Sequence, residues 1–240
     1  MDVFLIFFII ALTFCIITAL IYVLRYIVRI SKEDPTIWEK SIRKFEKQDR
    51  LSPPTQRTIV FTGSSSIVYW KTLKEDMAPL PVIGRGFGGS RIPDVIHYAD
   101  RVVLHYRPQG IVFYAGENDI TGLVFSKKKS PEEVLNSFRI FCEKIHTSQP
   151  DVPIFFISIK PPKRRKKFWP EMQKANELIQ EFCTQDERLD YIDVVPALLD
   201  QNKNPRTDVF KWDGIHLNEK GYMILSSVVK PILLEAFPIS

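Results

Sequence analysis

Thr58-Ile59-Val60-Phe61-Thr62-Gly63-Ser64-Ser65-Ser66-Ile67-Val68-Tyr69-Trp70 is the segment from which the rest of the chain is best understood. Thr58–Thr62 is a β-branched and aromatic run without polar alternation. It predicts a strand buried on both faces, as in a parallel sheet. Gly63 and three serines follow, and the apolar residues from Ile67 predict a strand-to-helix turn. In open α/β sheets, catalytic and ligand-binding groups gather at such strand ends. A nucleophile placed there has its backbone N–H at a helix N-terminus, which stabilises a developing oxyanion. A serine-rich turn taken alone is a weak signal and is more often a helix cap.

The same pattern returns downstream. Pro81–Gly84 (PVIG), Gly110–Ala115 (GIVFYA), Pro153–Ile159 (PIFFISI) and Leu189–Val194 (LDYIDV) predict four further strands. Helical stretches lie between them. In Ser130-Pro131-Glu132-Glu133 the serine is an N-cap, the proline takes the first helical position and Glu133 closes a capping box. Val134, Phe138, Phe141 and Ile145 then mark one apolar face. Further helices are predicted from about Glu171 to Thr184 and from about Asn218 to Leu234. Alternating strands and helices predict an α/β three-layer fold. The roughly 180 residues from Thr58 onward suffice for one domain with its own core. No internal repeat or long linker divides them, so residues 58–240 read as a single domain.

Upstream the composition changes. Val3–Leu24 holds 22 residues without a charge. As a helix rising ~1.5 Å per residue it reaches about 33 Å, enough to cross a hydrocarbon core of ~30 Å. Tyr22 and Tyr26 stand near its end, where amphipathic rings favour an interface. The rival is a cleaved signal peptide. Against it, Met1-Asp2 has no basic side chain, the run is long for a signal core, and Arg25, Tyr26, Ile27, Val28 and Arg29 follow in place of small residues. Residues 1–30 are therefore expected to be an uncleaved transmembrane anchor. Arg25, Arg29 and Lys32 flank one end and Asp2 the other. By the positive-inside rule this predicts a single-pass protein with its large domain in the cytoplasm, the opposite face remaining open. Residues 31–57 are charged, with Ile37, Trp38, Ile42 and Phe45 at helical spacing. They predict an amphipathic helix that either lies on the membrane or covers the domain.

Composition narrows the function classes. With 45% hydrophobic residues and a net charge of only +5, the chain is not intrinsically disordered. Three cysteines exclude a disulfide scaffold, and Cys15, Cys142 and Cys183 all fall in helical stretches, where they read as small apolar residues. No Cys-x-x-Cys or His-Glu-x-x-His spacing exists to hold a metal, so no metal and no cofactor is expected. Basic segments without a recognition motif do not indicate nucleic-acid binding.

Chemistry concentrates in four blocks, three of them directly after predicted strands. The first is Gly63-Ser64-Ser65-Ser66. The second is Arg85-Gly86-Phe87-Gly88-Gly89-Ser90, whose glycines permit close backbone approach to a ligand but lack the Lys-Ser/Thr pair of a phosphate loop. The third is Tyr114-Ala115-Gly116-Glu117-Asn118-Asp119, where an asparagine amide can point a donor into a cleft. The fourth is Asp213-Gly214-Ile215-His216-Leu217, which joins a natural general base to a carboxylate three residues earlier. His97, His105 and His146 lack such a setting. A serine, donors at strand ends and a His–Asp pair together form an acyl-transfer constellation.

These blocks resemble those of the SGNH (GDSL-type) hydrolases, named for Ser, Gly, Asn and His in separate blocks, over roughly Thr58 to Leu234. The Gly116-Glu117-Asn118-Asp119 and Asp213-Gly214-Ile215-His216 blocks carry the resemblance most specifically. It implies a flavodoxin-like fold with a five-stranded parallel sheet of order 2-1-3-4-5. It implies Ser65 as nucleophile, His216 as base and Asp213 as its orienting carboxylate, with the oxyanion held by the Ser65 and Gly89 N–H groups and the Asn118 side chain. The family's usual Gly-Asp-Ser-Leu reads Gly63-Ser64-Ser65-Ser66 here, so Ser64 and Ser66 compete with Ser65, which is in register with the family serine. Gly88 competes with Gly89 in the same way.

The substrate is less defined. Lys163-Arg164-Arg165-Lys166-Lys167, followed by Phe168 and Trp169, emerges at the sheet end that carries the blocks, and Lys127-Lys128-Lys129 is expected nearby. Such a rim suits an anionic or membrane-bound ester, though solvated loops have the same composition. The expectation is a membrane-anchored serine esterase acting on a small acyl ester, a lysophospholipid or an O-acetyl sugar. The alternatives are an acyltransferase using the same site and a catalytically silent membrane-tethered binding domain. Oligomeric state is not legible.

Overall fold

The computed structural model describes residues 3–31, 33–122 and 126–238. Five strands, β1 (Ile59–Gly63), β2 (Val82–Gly86), β3 (Gly110–Tyr114), β4 (Ile154–Ile157) and β5 (Leu189–Ile192), form one sheet in the order β2-β1-β3-β4-β5. Every pairing is parallel, with Ile59 opposite Val82 and Gly110. This is the order expected for a flavodoxin-like fold. Nine α-helices are described: α1 (Val3–Ser31), α2 (Glu39–Leu51), α3 (Ser65–Val68), α4 (Leu73–Met77), α5 (Ile92–Val102), α6 (Glu117–Thr121), α7 (Pro131–Ser148), α8 (Trp169–Cys183) and α9 (Glu219–Ala236).

The apolar runs divide between the two sheet faces with the period of two that a strand imposes. Val60, Ile111, Phe113 and Phe156 face a core shared with α2, α5, α7 and α8. Ile59, Phe61, Val112, Tyr114 and Ile157 face a second core shared with α3, α4 and α9. Burial on both faces is why the strands lack polar alternation. Helix α7 starts as its sequence predicts: Ser130 Oγ accepts from Glu133 N at 3.2 Å, and Glu133 returns the bond to Ser130 N at 2.8 Å.

Strand β2 runs two residues past the expected Gly84. Arg85 is tolerated in a nearly buried strand because Asp49 of α2 pairs with its guanidinium and the Tyr106 hydroxyl accepts from its Nε at 2.6 Å. Helix α2 therefore covers the domain. Ile42 is fully buried, and Trp38 and Phe45 pack on the same core. Burying an isoleucine side chain contributes roughly 1.5–3 kcal/mol. Flanking Ile42 on the same face, at i−3 and i+4, Glu39 and Glu46 clamp Arg101 of α5 at 2.8 and 2.7 Å.

Helix α1 is different. Its Val3–Arg29 stretch is long and apolar enough to cross a membrane and is not buried against the rest of the chain. Asp2 and Lys32, two of the flanking charges used to orient it, lie outside the described residues. At its end Arg29 pairs with Asp34 at 2.7 Å, and Asp34 N donates back to Arg29 O at 3.0 Å. The chain then enters the Pro35–Trp38 turn. Glu33, just before it, pairs with the buried Arg91 at 2.5 Å.

Candidate active site

All four blocks converge at the C-terminal edge of the sheet. Strand β1 ends in Gly63, whose φ is +126° and where an added Cβ would lie 1.9 Å from the Tyr114 carbonyl oxygen. Only glycine lets the chain turn here, delivering Ser65 as the first residue of α3. Ser64 and Ser66 are buried, whereas Ser65 Oγ lies 3.0 Å from His216 Nε2. Of the three competing serines, Ser65 is the one in contact with the imidazole.

His216 is held from the other side. Its Nδ1 is 2.7 Å from Asp213 Oδ2, while Asp213 Oδ1 accepts from the backbone N–H groups of Ile215 and His216, each at 2.9 Å. Burial pushes the Asp213 carboxyl upward, but these three donors outweigh it and hold the group at about 2. A carboxylate held there at Nδ1 orients the ring so that Nε2 faces Ser65. The Tyr69 ring packs edge-on against the imidazole, with centroids 4.6 Å apart.

The second and third blocks line the cleft opposite His216's serine partner. Gly89 has φ +80°, in the region that favours glycine, and both Gly88 and Gly89 line the cleft beside Ser65. Asn118, at the start of α6, donates from Nδ2 to Ser90 O at 3.1 Å, leaving its second amide hydrogen for the cleft. Asp119 accepts from Ile92 N at 3.1 Å, tying the third block to the first turn of α5 and so to the loop that carries Gly89. The resulting cleft, about 300 Å³, is lined by Ser65, Gly89, Asn118, Arg165, Ile215 and His216 among others.

The basic segment does not form one uniform rim. Arg165 turns inward, its Nη1 donating to Glu117 Oε1 at 2.9 Å and to Asn118 Oδ1 at 3.2 Å. Phe168 and Trp169 are half-buried against the α8-side core, Phe168 as the N-cap of α8 and Trp169 as its first residue. Lys163, Arg164, Lys166 and Lys167 remain exposed. Lys128 does lie nearby, its Nζ 4.7 Å from the Phe168 ring centroid.

Two features were not visible in the sequence. The first is Arg165's contact with Asn118. The second is a buried pair beneath it: Lys160 Nζ donates to Glu117 Oε2 at 2.6 Å and to the Tyr114 hydroxyl at 3.2 Å. Burial alone would lower the Lys160 pKa, but the Glu117 charge prevails and raises it to about 12. Glu117 is held below the usual carboxylate range despite its own burial. A lone lysine closing the apolar run Ile154–Ile159 was the available signal. His97, His105 and His146 do not line the cleft. Burial raises the thiol pKa of Cys142 and Cys183, which removes them as nucleophiles. Among the described residues no cluster of His, Cys, Asp and Glu is arranged to hold a metal ion.

The fold is that of the SGNH hydrolases. Residues 58–224 match the GDSL-like lipase/acylhydrolase family, and the chain belongs to that family as a hydrolase acting on ester bonds. Solved structures with this fold include a Streptococcus pneumonia protein provisionally described as a platelet activating factor. It is 21% identical over 90% of this chain and 98% of its own, with a TM-score of 0.73. A GDSL-like lipase from Bacteroides thetaiotaomicron is 18% identical over 82% and 98%, with a TM-score of 0.68. A Clostridium thermocellum family 3 carbohydrate esterase is 18% identical over 76% and 98%, with a TM-score of 0.57. A search of curated proteins returned no match.

Proposed function

We propose that the chain is a membrane-anchored serine esterase. Residues 1–30 are the anchor, 31–57 the connecting helical segment and 58–240 the catalytic domain, which faces the cytoplasm. The single observation that carries the reading is His216 bridging Ser65 Oγ at 3.0 Å and Asp213 at 2.7 Å. His216 Nε2 takes the Ser65 proton as Oγ attacks the ester carbonyl carbon. The oxyanion is received by the N–H groups of Ser65 and Gly89 and by Asn118 Nδ2. One such donor is typically worth about 3 kcal/mol in the transition state. The tetrahedral intermediate collapses, and the alcohol departs with the proton from His216. A water, deprotonated by His216, then attacks the acyl-Ser65 ester and releases the carboxylic acid, restoring the serine.

The substrate is a carboxylic ester: a small acyl ester, a lysophospholipid or an O-acetyl sugar. Support comes from the family match and from relatives of the same fold described as a lipase and a carbohydrate esterase. The test is turnover of p-nitrophenyl esters of increasing chain length, beside Ser65→Ala. Hydrolysis abolished by the substitution supports the reading, and hydrolysis unaffected by it overturns the assignment of Ser65.

A further inference from the structure

Two loops flank the cleft, and each carries a feature that the reaction does not use. The loop between β2 and α5, which contributes Gly89, is also where the end of α1 is fastened. Arg91 pairs with Glu33 at 2.5 Å, and the Phe87 ring lies 5.9 Å from that of Trp38. The apolar helix thus leaves the domain beside the catalytic edge of the sheet, and not from the opposite edge, where the strands begin. On the other side, the loop carrying Asp213 and His216 presents Trp212, which is 94% exposed. Trp212 shares a cavity of about 430 Å³ with Lys163, Arg164 and Lys211. One exposed tryptophan is unremarkable by itself. A tryptophan set among basic side chains, on the edge from which an apolar 27-residue stretch departs, has the composition of a membrane interface.

We infer that the catalytic edge faces the bilayer that α1 enters, that Trp212 and its basic neighbours dock on anionic lipid headgroups, and that the substrate is an ester of a lipid presented at that surface. The inference rests on the serine-esterase reading above and narrows its substrate. The size of the cleft agrees with it. A volume of about 300 Å³ is at the small end of ligand sites and suits an ester and its immediate substituents. A chain left in the bilayer need not enter. Lys163, Arg164 and Lys211 supply positive charge where a lipid phosphate would sit, within the cavity bounded by Asp213 and Gly214 of the catalytic loop.

The experiment uses the full chain in vesicles of phosphatidylcholine with phosphatidylglycerol. In one arm the acyl chains are brominated, and tryptophan quenching is compared between the wild type and Trp212→Phe. The expected result is that Trp212→Phe removes a quenched component of the emission. Loss of only unquenched emission overturns the orientation. In the other arm the vesicles contain lysophosphatidylglycerol, and fatty-acid release is measured beside hydrolysis of water-soluble p-nitrophenyl acetate. The wild type is expected to release fatty acid, and Lys163→Glu with Trp212→Phe to reduce that release at least tenfold relative to nitrophenol release. Turnover of p-nitrophenyl acetate without fatty-acid release overturns this inference and leaves the serine-esterase reading standing. Inactivity on both substrates contradicts that reading as well.

Discussion

Arg165 Nη1 donates to Asn118 Oδ1 at 3.2 Å, which fixes which end of the asparagine amide faces the cleft. With the oxygen turned to a guanidinium and Nδ2 bonded to Ser90 O at 3.1 Å, the amide is held from both ends at the edge of the cleft that Ser65 lines. In the proposed reaction such an amide would be a donor fixed in advance, the condition under which such a group stabilises a transition state effectively.

Removing the donor and removing what orients it are therefore expected to be linked. Asn118→Ala is predicted to lower kcat about 10²–10³-fold with little change in KM. Arg165→Ala is predicted to lower kcat less, and to cost little more when added to Asn118→Ala. Steady-state kinetics of the two single variants and the double variant check this. Fully additive losses would instead mean that Arg165 acts on the substrate without Asn118.

The pair beneath the site is a question of stability. Lys160 and Glu117 are both almost fully buried and only 2.6 Å apart. Breaking a buried pair leaves an uncompensated charge, so Lys160→Met is predicted to cost about 3–5 kcal/mol. Replacing both residues, as Lys160→Met with Glu117→Leu, is predicted to recover part of that loss, although Arg165 then loses its 2.9 Å partner. Denaturant unfolding of the wild type, Lys160→Met, Glu117→Leu and the double variant closes the cycle, and a double variant less stable than Lys160→Met would contradict it.

Asp119 gives a pH signature. Burial pushes its carboxyl up to about 6, against the opposing effects of Lys129 and the Ile92 N–H. A carboxyl with a raised folded-state pKa stabilises the fold fully below its unfolded value of 3.8, and that contribution is lost as pH rises through about 6. Asp119→Asn keeps an acceptor for Ile92 N but has no proton to lose. The stability of the variant relative to wild type is therefore predicted to rise between pH 4 and 6 and level off above, by at most about 3 kcal/mol. Melting temperatures across that range measure it, and a pH-independent difference would contradict it.

How much of this was legible depends on the range of each interaction. The strands were legible because burial on both faces writes itself as an uninterrupted apolar run. That Ser65, Asn118, Asp213 and His216 come together was legible because each sits in a short block at a strand end or turn. Helix α2 was legible as amphipathic, but not which surface its Ile42 would cover, since periodicity names a face and not its partner. Arg85 cut β2 short in the reading because its partner Asp49 lies 36 residues away. Arg165 read as one of five equivalent basic residues. Its inward turn depends on Glu117, 48 residues earlier, and no local pattern encodes it. That Phe168 and Trp169 pack partly on the core was not legible for the same reason: composition does not name an aromatic's partner.

The most direct test of the central claim is covalent labelling of the full-length protein with a fluorophosphonate, followed by mass mapping of the modified peptide. A single adduct is expected on Ser65, absent in Ser65→Ala and strongly slowed in His216→Ala, because Oγ is reactive only while the imidazole 3.0 Å away takes its proton. An adduct on Ser64 or Ser66, or labelling of Ser65 at an unchanged rate without His216, would contradict it.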